Sequence, residues 1–168
     1  MKIGKKIFLS LFIGLFLFGY ASFALDNGDK EIYVFGDKVL SIVTQEASLD
    51  VYNTMFTQDE NNNIHVSLIF VLNNEQTFIV SVNMDENENI QVQGAENLIN
   101  ALQNLPEISQ QVQKQMNYYE KQYATTKKSK IQCAWGWAQL IWGIITHDWG
   151  KILRGLYNIA CGCYNHCI

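Results

Sequence analysis

Proline and cysteine are scarce over most of this sequence. Pro106 is the only proline, and none of the four cysteines precedes position 133. The sequence also lacks a glycine-rich phosphate loop, a paired catalytic constellation, and a serine or cysteine in a nucleophile motif. His65 stands alone on a predicted strand. We therefore predict that the protein is not an enzyme, has no catalytic or metal-binding residues, and needs no cofactor.

Basic residues are equally scarce in the middle of the chain. Residues 25–124 contain four basic and 15 acidic residues, a net charge of −11, whereas residues 125–168 contain five basic residues and one acid, a net charge of +4. A split of this kind indicates that the two halves attract each other or that the basic end meets an anionic surface. The alternative is that acidic turns and a basic linker simply coincide.

The apolar run near the start is too short to cross a membrane. Residues 7–18 are apolar at all but two positions, three lysines precede them, and small residues at 22 and 24 form a cleavage motif. A membrane-spanning helix needs about 20 such residues. We predict a signal peptide over residues 1–24 that is cut after Ala24, which makes the mature protein extracellular or periplasmic. A retained anchor helix is the alternative.

The middle of the chain shows strand patterns and then changes to a helical period. Residues 64–72 and 76–84 are rich in β-branched and aromatic residues and flank the turn-forming segment "NNE". From Ala95 the apolar residues follow helical spacing, and Pro106 suits the first turn of a second helix. The predicted fold is α+β, an antiparallel β-meander packed with one or two amphipathic helices.

One acidic segment in this region resembles a calcium-binding loop. Asp85, Asn87, Asn89 and Glu96 occupy ligand positions 1, 3, 5 and 12 of such a loop. The sixth position, which needs glycine, holds Ile90, and strands rather than helices are expected around it. We interpret the segment as an acidic hairpin turn.

A basic, polar segment separates the acidic domain, residues 25–123, from the end of the chain. Residues 124–132 have no apolar period and contain Lys127, Lys128 and Lys130, each a site for a trypsin-like protease. Cleavage there would release a peptide of about 38 residues, 131–168. An uncut hinge between two domains is the alternative.

All the cysteines lie beyond this linker, in residues 133–168. They are Cys133, Cys161, Cys163 and Cys167. In an exported protein such a cluster indicates disulfides, although the spacing around His166 also resembles a metal site. On one straight helix Cys133 and Cys161 would lie about 42 Å apart, whereas a disulfide needs α-carbons within about 7 Å. We therefore predict that the segment folds back, so that Cys133 pairs with Cys161 or Cys163 and the other pair includes Cys167.

The consecutive polar residues at 146–148 are the expected corner of this fold-back. We predict a helical hairpin of about residues 134–145 and 148–160, with a corner residue capping the second helix. A peptide of this size needs disulfide staples, because its core alone is too small to stabilise it.

The pair Trp-Gly recurs in this hairpin every seven residues, at 135, 142 and 149. Glycine disfavours a helix but lets another backbone approach closely, and tryptophan favours the membrane–water boundary. We therefore predict that the hairpin contacts lipid and directs its cations towards the phosphates. The predicted contact residues are Trp135, Trp137, Trp142, Trp149, Lys151 and Arg154. The alternative is that the tryptophans pack on the α+β domain as ordinary core.

This layout resembles the precursors of the sporulation-delaying killing factor, an exported bacterial toxin. The matching features are the leader "MKIGKKIFLSLFIGLFLFGYASFA", the lysine-rich joint "TTKKSK" and the peptide start "CAWGWAQLIWG". The family implies a signal peptide, a pro-region, and an apolar, cysteine-bearing peptide that is cut out near the C-terminus. This chain departs from the family in having one cysteine rather than two at the start of the peptide, and in its sheet-forming middle.

Our leading hypothesis is a secreted, bacteriocin-like antimicrobial precursor. Its acidic domain would shield the C-terminal peptide until release, and the freed peptide would then disrupt membranes. The implied partners are the lipid membrane of a target cell, a processing protease and an immunity protein, but not nucleic acid. The second hypothesis is an uncleaved secreted binding or inhibitory module with a disulfide-stabilised C-terminal hairpin. The third is a membrane-associated structural protein held by that hairpin.

Overall fold

The computed structural model describes residues 22–27 and 30–167, with side chains from residue 36 onwards. Most of the predicted signal peptide, residues 1–21, lies outside the described residues. β1 (Ser22–Asn27) and β2 (Lys30–Phe35) pair antiparallel as a two-stranded sheet. The expected cleavage point after Ala24 lies within β1.

Five further strands form an antiparallel meander, as predicted. They lie in the sheet in the order of the chain, each hydrogen-bonded to the next. The strands are β3 (Asp37–Val43), β4 (Ser48–Gln58), β5 (Ile64–Leu72), β6 (Gln76–Met84) and β7 (Ile90–Gln93). Asn73 and Asn74 connect β5 to β6 with φ of 54° and 57°, a left-handed conformation that asparagine adopts more readily than most residues.

One face of the meander is apolar and buried. Strand β5 shows the alternation most clearly, because every second side chain from its first residue points into the core. These side chains are Ile64, Val66, Leu68 and Phe70. A bulge between Asn53 and Met55 shifts the register of β4 and places Phe56 opposite Val66, on the same face.

Two helices follow the sheet, as predicted, and pack on this apolar face. They are α1 (Ala95–Leu102) and α2 (Pro106–Thr126), and Pro106 opens α2, where its missing N–H leaves no hydrogen bond unmade. Their buried side chains recur at helical spacing: Leu98, Leu102, Ile108, Val112 and Met116. Residues 37–126 are called the sheet region below.

The chain ends in the predicted helical hairpin. Its helices are α3 (Ser129–Thr146) and α4 (Trp149–Tyr164). His147 turns the chain in a left-handed conformation with φ of 55°. Asp148 then caps α4, because its carboxylate accepts a hydrogen bond from the backbone N–H of Lys151 at 3.0 Å. The corner therefore lies at the polar residues 146–148, where the sequence places it.

The helices are longer than predicted, and this corrects the predicted linker. α2 ends at Thr126 and α3 begins at Ser129, so most of residues 124–132 are helical and Lys127 and Lys128 alone connect the two helices. A polar segment without an apolar period can still extend a helix whose end is in water, since lysine and glutamine are good helix formers. These two lysines are called the joint below.

The hairpin shares one hydrophobic core with the sheet region. α3 contacts α2, α4 and β3, and it is the most enclosed helix described. The buried apolar side chains that the hairpin contributes are Trp137, Leu140, Ile141, Ile144, Ile145, Ile152, Leu156 and Ile159. In the uncut chain the C-terminal segment is therefore an integral layer of the fold.

Candidate functional site

Two disulfides fasten the hairpin at its open end, as predicted. Cys133 of α3 is bonded to Cys163 of α4, with their α-carbons 4.8 Å apart. Cys161 is bonded to Cys167, with α-carbons 4.1 Å apart. Within the described residues all the cysteines are thus paired, and no group of three or more His, Cys, Asp or Glu side chains is placed to hold a metal ion. Both cross-links lie on the C-terminal side of the joint.

Glycines on α3 bring the backbones of the two helices into contact. A Cβ atom built on Gly136 would lie 2.7 Å from the backbone nitrogen of Ile159, and one built on Gly143 would lie 2.7 Å from that of Ile152. Real Cβ atoms do not approach other atoms so closely, so any larger residue at either position would force the helices apart.

Glycines on α4 face α3 in the same way. A Cβ atom on Gly155 would lie 2.6 Å from the backbone nitrogen of Leu140, and one on Gly162 would lie 2.5 Å from that of Cys133. Gly150, the third glycine of the Trp-Gly repeat, has no such neighbour, since its nearest contact is the Asp148 carboxylate at 3.4 Å. Two of the three repeats therefore serve close helix packing, and the backbone that approaches belongs to this chain.

A chain of side-chain hydrogen bonds also joins the two helices. Gln132 Nε2 donates to Asn158 Oδ1 at 3.1 Å, and Asn158 Nδ2 donates to Gln139 Oε1 at 2.8 Å. Gln139 is 1% exposed, so this bond satisfies an amide that would otherwise be buried without a partner. The hairpin thus holds its shape by bonds within itself.

The predicted membrane-contact residues are divided between the core and the surface. Trp137 is 5% exposed and belongs to the core, so its assignment to a lipid-facing surface is wrong for the uncut chain. Trp135 and Trp142 are partly buried, whereas Trp149 is 51% exposed. The predicted cations are accessible too: Lys151 is partly buried and Arg154 is exposed.

The indole N–H of Trp135 is buried in an unusual way. Its ring lies 5.5 Å from the ring of Tyr123 on α2, and its Nε1 atom is sealed from solvent without a hydrogen-bond partner. A buried donor without a partner costs about 1–3 kcal/mol. Trp135 is therefore held in an environment that suits its N–H poorly.

Aromatic residues carry the contact between the sheet and the hairpin. The Phe56 ring on β4 stacks on Tyr164 at a centroid distance of 4.5 Å, with an interplanar angle of 13°. The same ring meets Trp137 edge to face at 6.5 Å. Asn53 Nδ2 donates to the Tyr164 hydroxyl at 3.5 Å. Phe56 is thus a hub of this interface, which no local sequence pattern indicated, because its partners lie more than 80 residues further along the chain.

One polar contact joins α4 to the far edge of the sheet. The Tyr157 hydroxyl donates a short hydrogen bond to the Glu88 carboxylate in the β6–β7 turn. Partial burial, this hydrogen bond and the negative charge of Glu88 together raise the pKa of Tyr157 to about 12. The neutral phenol is therefore the form that the folded chain favours.

The joint is open to proteases. Lys127 and Lys128 are exposed, Lys127 has φ of 52°, and its amine lies over the Tyr123 ring at 5.0 Å from the centroid. Lys130 is also exposed but lies in the first turn of α3, so cleavage beside it would require that turn to unwind. Of the three predicted processing lysines, the two in the joint are the more accessible to a protease.

The acidic segment that resembles a calcium loop forms a hairpin turn, as predicted. Asp85 Oδ1 accepts hydrogen bonds from the backbone N–H groups of Asn87 and Asn89, and Oδ2 accepts one from the Asn89 amide. These bonds, led by those from Asn89, lower the pKa of Asp85. Glu96 lies apart in α1. Asp59 forms the same kind of turn between β4 and β5, and both turns border a shallow polar cleft of about 410 Å³.

Comparison with known proteins assigns nothing by similarity. The chain matches no protein-family model, no curated protein and no solved structure. None of the described helices is long and apolar enough to span a membrane.

Proposed function

We propose that this protein is a secreted, bacteriocin-like antimicrobial precursor, whose C-terminal peptide (residues 131–168) is released by proteolysis and disrupts membranes. The observation that carries the proposal is the position of both disulfides on the C-terminal side of the joint. One cut at the joint would leave no covalent bond between the peptide and the sheet region. The peptide would also keep both staples, which an exported chain can retain.

The construction of the hairpin supports a life outside the precursor. Its glycine contacts and its Gln132–Asn158–Gln139 hydrogen bonds all lie within residues 129–164. A small peptide needs cross-links of this kind, because it cannot build a sufficient core. The hairpin would therefore keep its fold when the sheet region is removed.

The surface that the sheet region covers supports a membrane target. Release would uncover Trp137, which now packs against Phe56, and would free Trp135 from Tyr123. Returning a large apolar side chain to water costs about 1.5–3 kcal/mol, whereas lipid accepts it. The membrane boundary would also let the Trp135 N–H meet water, which it lacks in the precursor.

The proposal is tested on vesicles of phosphatidylglycerol and phosphatidylethanolamine. The oxidised peptide 131–168 should release an entrapped dye, and the uncut chain should not. Replacing Trp142 and Trp149 with alanine should weaken the release by about tenfold, because each indole contributes boundary binding. The matched control is His147→Ala together with His166→Ala, which leaves the tryptophans intact. An oxidised peptide that leaves the vesicles sealed would sink the proposal.

A second candidate function is an uncleaved secreted binding or inhibitory module. The continuous core, which includes the hairpin, and the polar cleft between the Asp59 and Asp85 turns favour it. Intact-mass analysis of culture medium separates the two candidates. A fragment of about 4 kDa indicates release, and one chain of about 16–17 kDa, the mass after loss of the signal peptide, indicates a module that stays whole.

A further inference from the structure

We infer that the sheet region is a non-covalent inhibitor of the hairpin, so that cutting the joint arms the precursor but lipid releases the peptide. The inference rests on the proposed function and adds a regulatory step to it. The occupant of the apolar face of the sheet region is a segment of this same chain, residues 129–164. The inference separates two events, cleavage and release, that a simple propeptide would combine.

The first argument is that the joint contributes nothing to packing. Lys127 and Lys128 are exposed, and the core residues on either side of them touch through α2, α3 and the sheet rather than through the joint. A cut between the two lysines therefore removes one peptide bond and leaves every core contact in place.

The second argument is the breadth of the interface that remains. The contacts of the hairpin reach three separate parts of the sheet region. Tyr123 of α2 meets Trp135, Phe56 of β4 meets Trp137 and Tyr164, and Glu88 of the β6–β7 turn meets Tyr157. An interface with a buried aromatic centre and a polar contact at its rim is the kind that holds two separate chains together.

The third argument is charge. Residues 25–124 carry a net charge of −11 and residues 125–168 a net charge of +4, so the two fragments attract each other after cleavage. The intact joint gives the hairpin an effective local concentration of about millimolar. Cleavage removes this advantage but neither the apolar contact nor the attraction. Water offers the freed hairpin no better partner, whereas a membrane does.

The test uses the full chain, nicked at the joint by brief treatment with trypsin. In buffer, both fragments should migrate together as one complex by gel filtration and by native mass spectrometry. After addition of phosphatidylglycerol and phosphatidylethanolamine vesicles, the hairpin fragment should float with the lipid while the sheet fragment stays in solution. The variant with Lys127, Lys128 and Lys130 all replaced by glutamine is the uncut control, and it should not float.

Variants of the sheet region test the interface without changing the peptide. Phe56→Ala should raise the fraction of hairpin released in buffer at least tenfold, because it removes the ring that contacts Trp137 and Tyr164. Met55→Ala, on the opposite face of the same strand and 47% exposed, is its control. Should Phe56→Ala fail to fold, Glu88→Gln on the surface turn should still raise release about threefold, with Glu86→Gln as its control.

The outcomes distinguish this inference from the proposed function. Fragments that separate in buffer without lipid overturn the inference, even if the freed peptide then permeabilises vesicles. Fragments that leave the complex only when lipid is added support it. Fragments that stay together in buffer and also remain together, inactive, beside vesicles overturn both the lipid-driven release and the membrane activity.

Discussion

The sheet region and the hairpin are stabilised in different ways, although they share a core. The sheet region has no cysteine, and its strands are held by register, by turn chemistry and by apolar packing across long sequence separations. The hairpin has two disulfides, backbone contact at four glycines and an internal chain of amide hydrogen bonds. A segment that only had to complete the core would not need this second set of bonds. The difference indicates that the hairpin is built to persist without its neighbour.

Removal of the disulfide between the helices should have the largest effect on this contrast. Replacing Cys133 and Cys163 with serine should lower the free energy of unfolding by about 3.5 kcal/mol, because the bond closes a loop of 30 residues. Urea denaturation followed by tryptophan fluorescence checks this, since all four tryptophans lie in α3 and α4. The matched pair is Cys161→Ser with Cys167→Ser, whose loop of 6 residues predicts a loss of about 2 kcal/mol. Equal losses would contradict the assigned role of the longer bond.

A larger residue between the helices should come next. Gly155→Val should lower the free energy of unfolding by about 3 kcal/mol, because the new side chain would meet the backbone nitrogen of Leu140. Gly150→Ala, at a position with room for a Cβ atom, should leave stability unchanged or raise it by about 0.5–1 kcal/mol. Thermal unfolding by circular dichroism measures both. If both variants behaved alike, the close approach of the helices would be wrong.

Loss of the internal amide bonds should have a smaller effect. Asn158→Ala should cost about 2 kcal/mol, because it leaves the Gln139 amide buried without its partner. Gln132→Ala removes the outer bond of the same chain but keeps Gln139 satisfied, so it should cost less than half as much. The same urea titration ranks the two variants, and the reverse order would show that Gln139 finds another partner.

The contact between Tyr157 and Glu88 should give the smallest effect, visible only in alkali. The folded-state pKa of Tyr157, about 12, lies above the ordinary value of 10.0. The neutral phenol therefore stabilises the fold fully below pH 10, and this contribution is lost as the pH rises from 10 to 12. Tyr157→Phe should flatten the fall of the urea midpoint over that range. Tyr118→Phe, at a residue that is 58% exposed, should keep the slope of the parent chain.

The fold class and the hairpin could be predicted because their signals are local. Alternating apolar residues in 64–72 specify a strand with one buried face, and the "NNE" turn specifies how it pairs with 76–84. The hairpin followed from a distance argument, since Cys133 can reach the terminal cysteines only if the helix turns back at 146–148.

The surface that faces the hairpin could not be predicted. The seven-residue spacing of Trp-Gly places the glycines on one side of a helix, but it does not state which backbone approaches them. In the fold it is α4 for Gly136 and Gly143. Trp137 stands outside the repeat, and its partner Phe56 lies 81 residues earlier. Such contacts depend on how whole elements assemble, so sequence spacing contains no record of them.

The glycine contacts also determine how the two helices are aligned lengthwise. Gly136 faces Ile159, Gly143 faces Ile152, Gly155 faces Leu140 and Gly162 faces Cys133, and the two residue numbers add to the same total in every pair. Sliding one helix by a single turn would bring side chains where the glycines leave none. A slide of seven residues would re-engage part of the set, but the covalent bond at Cys133 prevents it. The hairpin consequently has one permitted alignment, as a β-hairpin has one register, and a single residue inserted into either helix would destroy it.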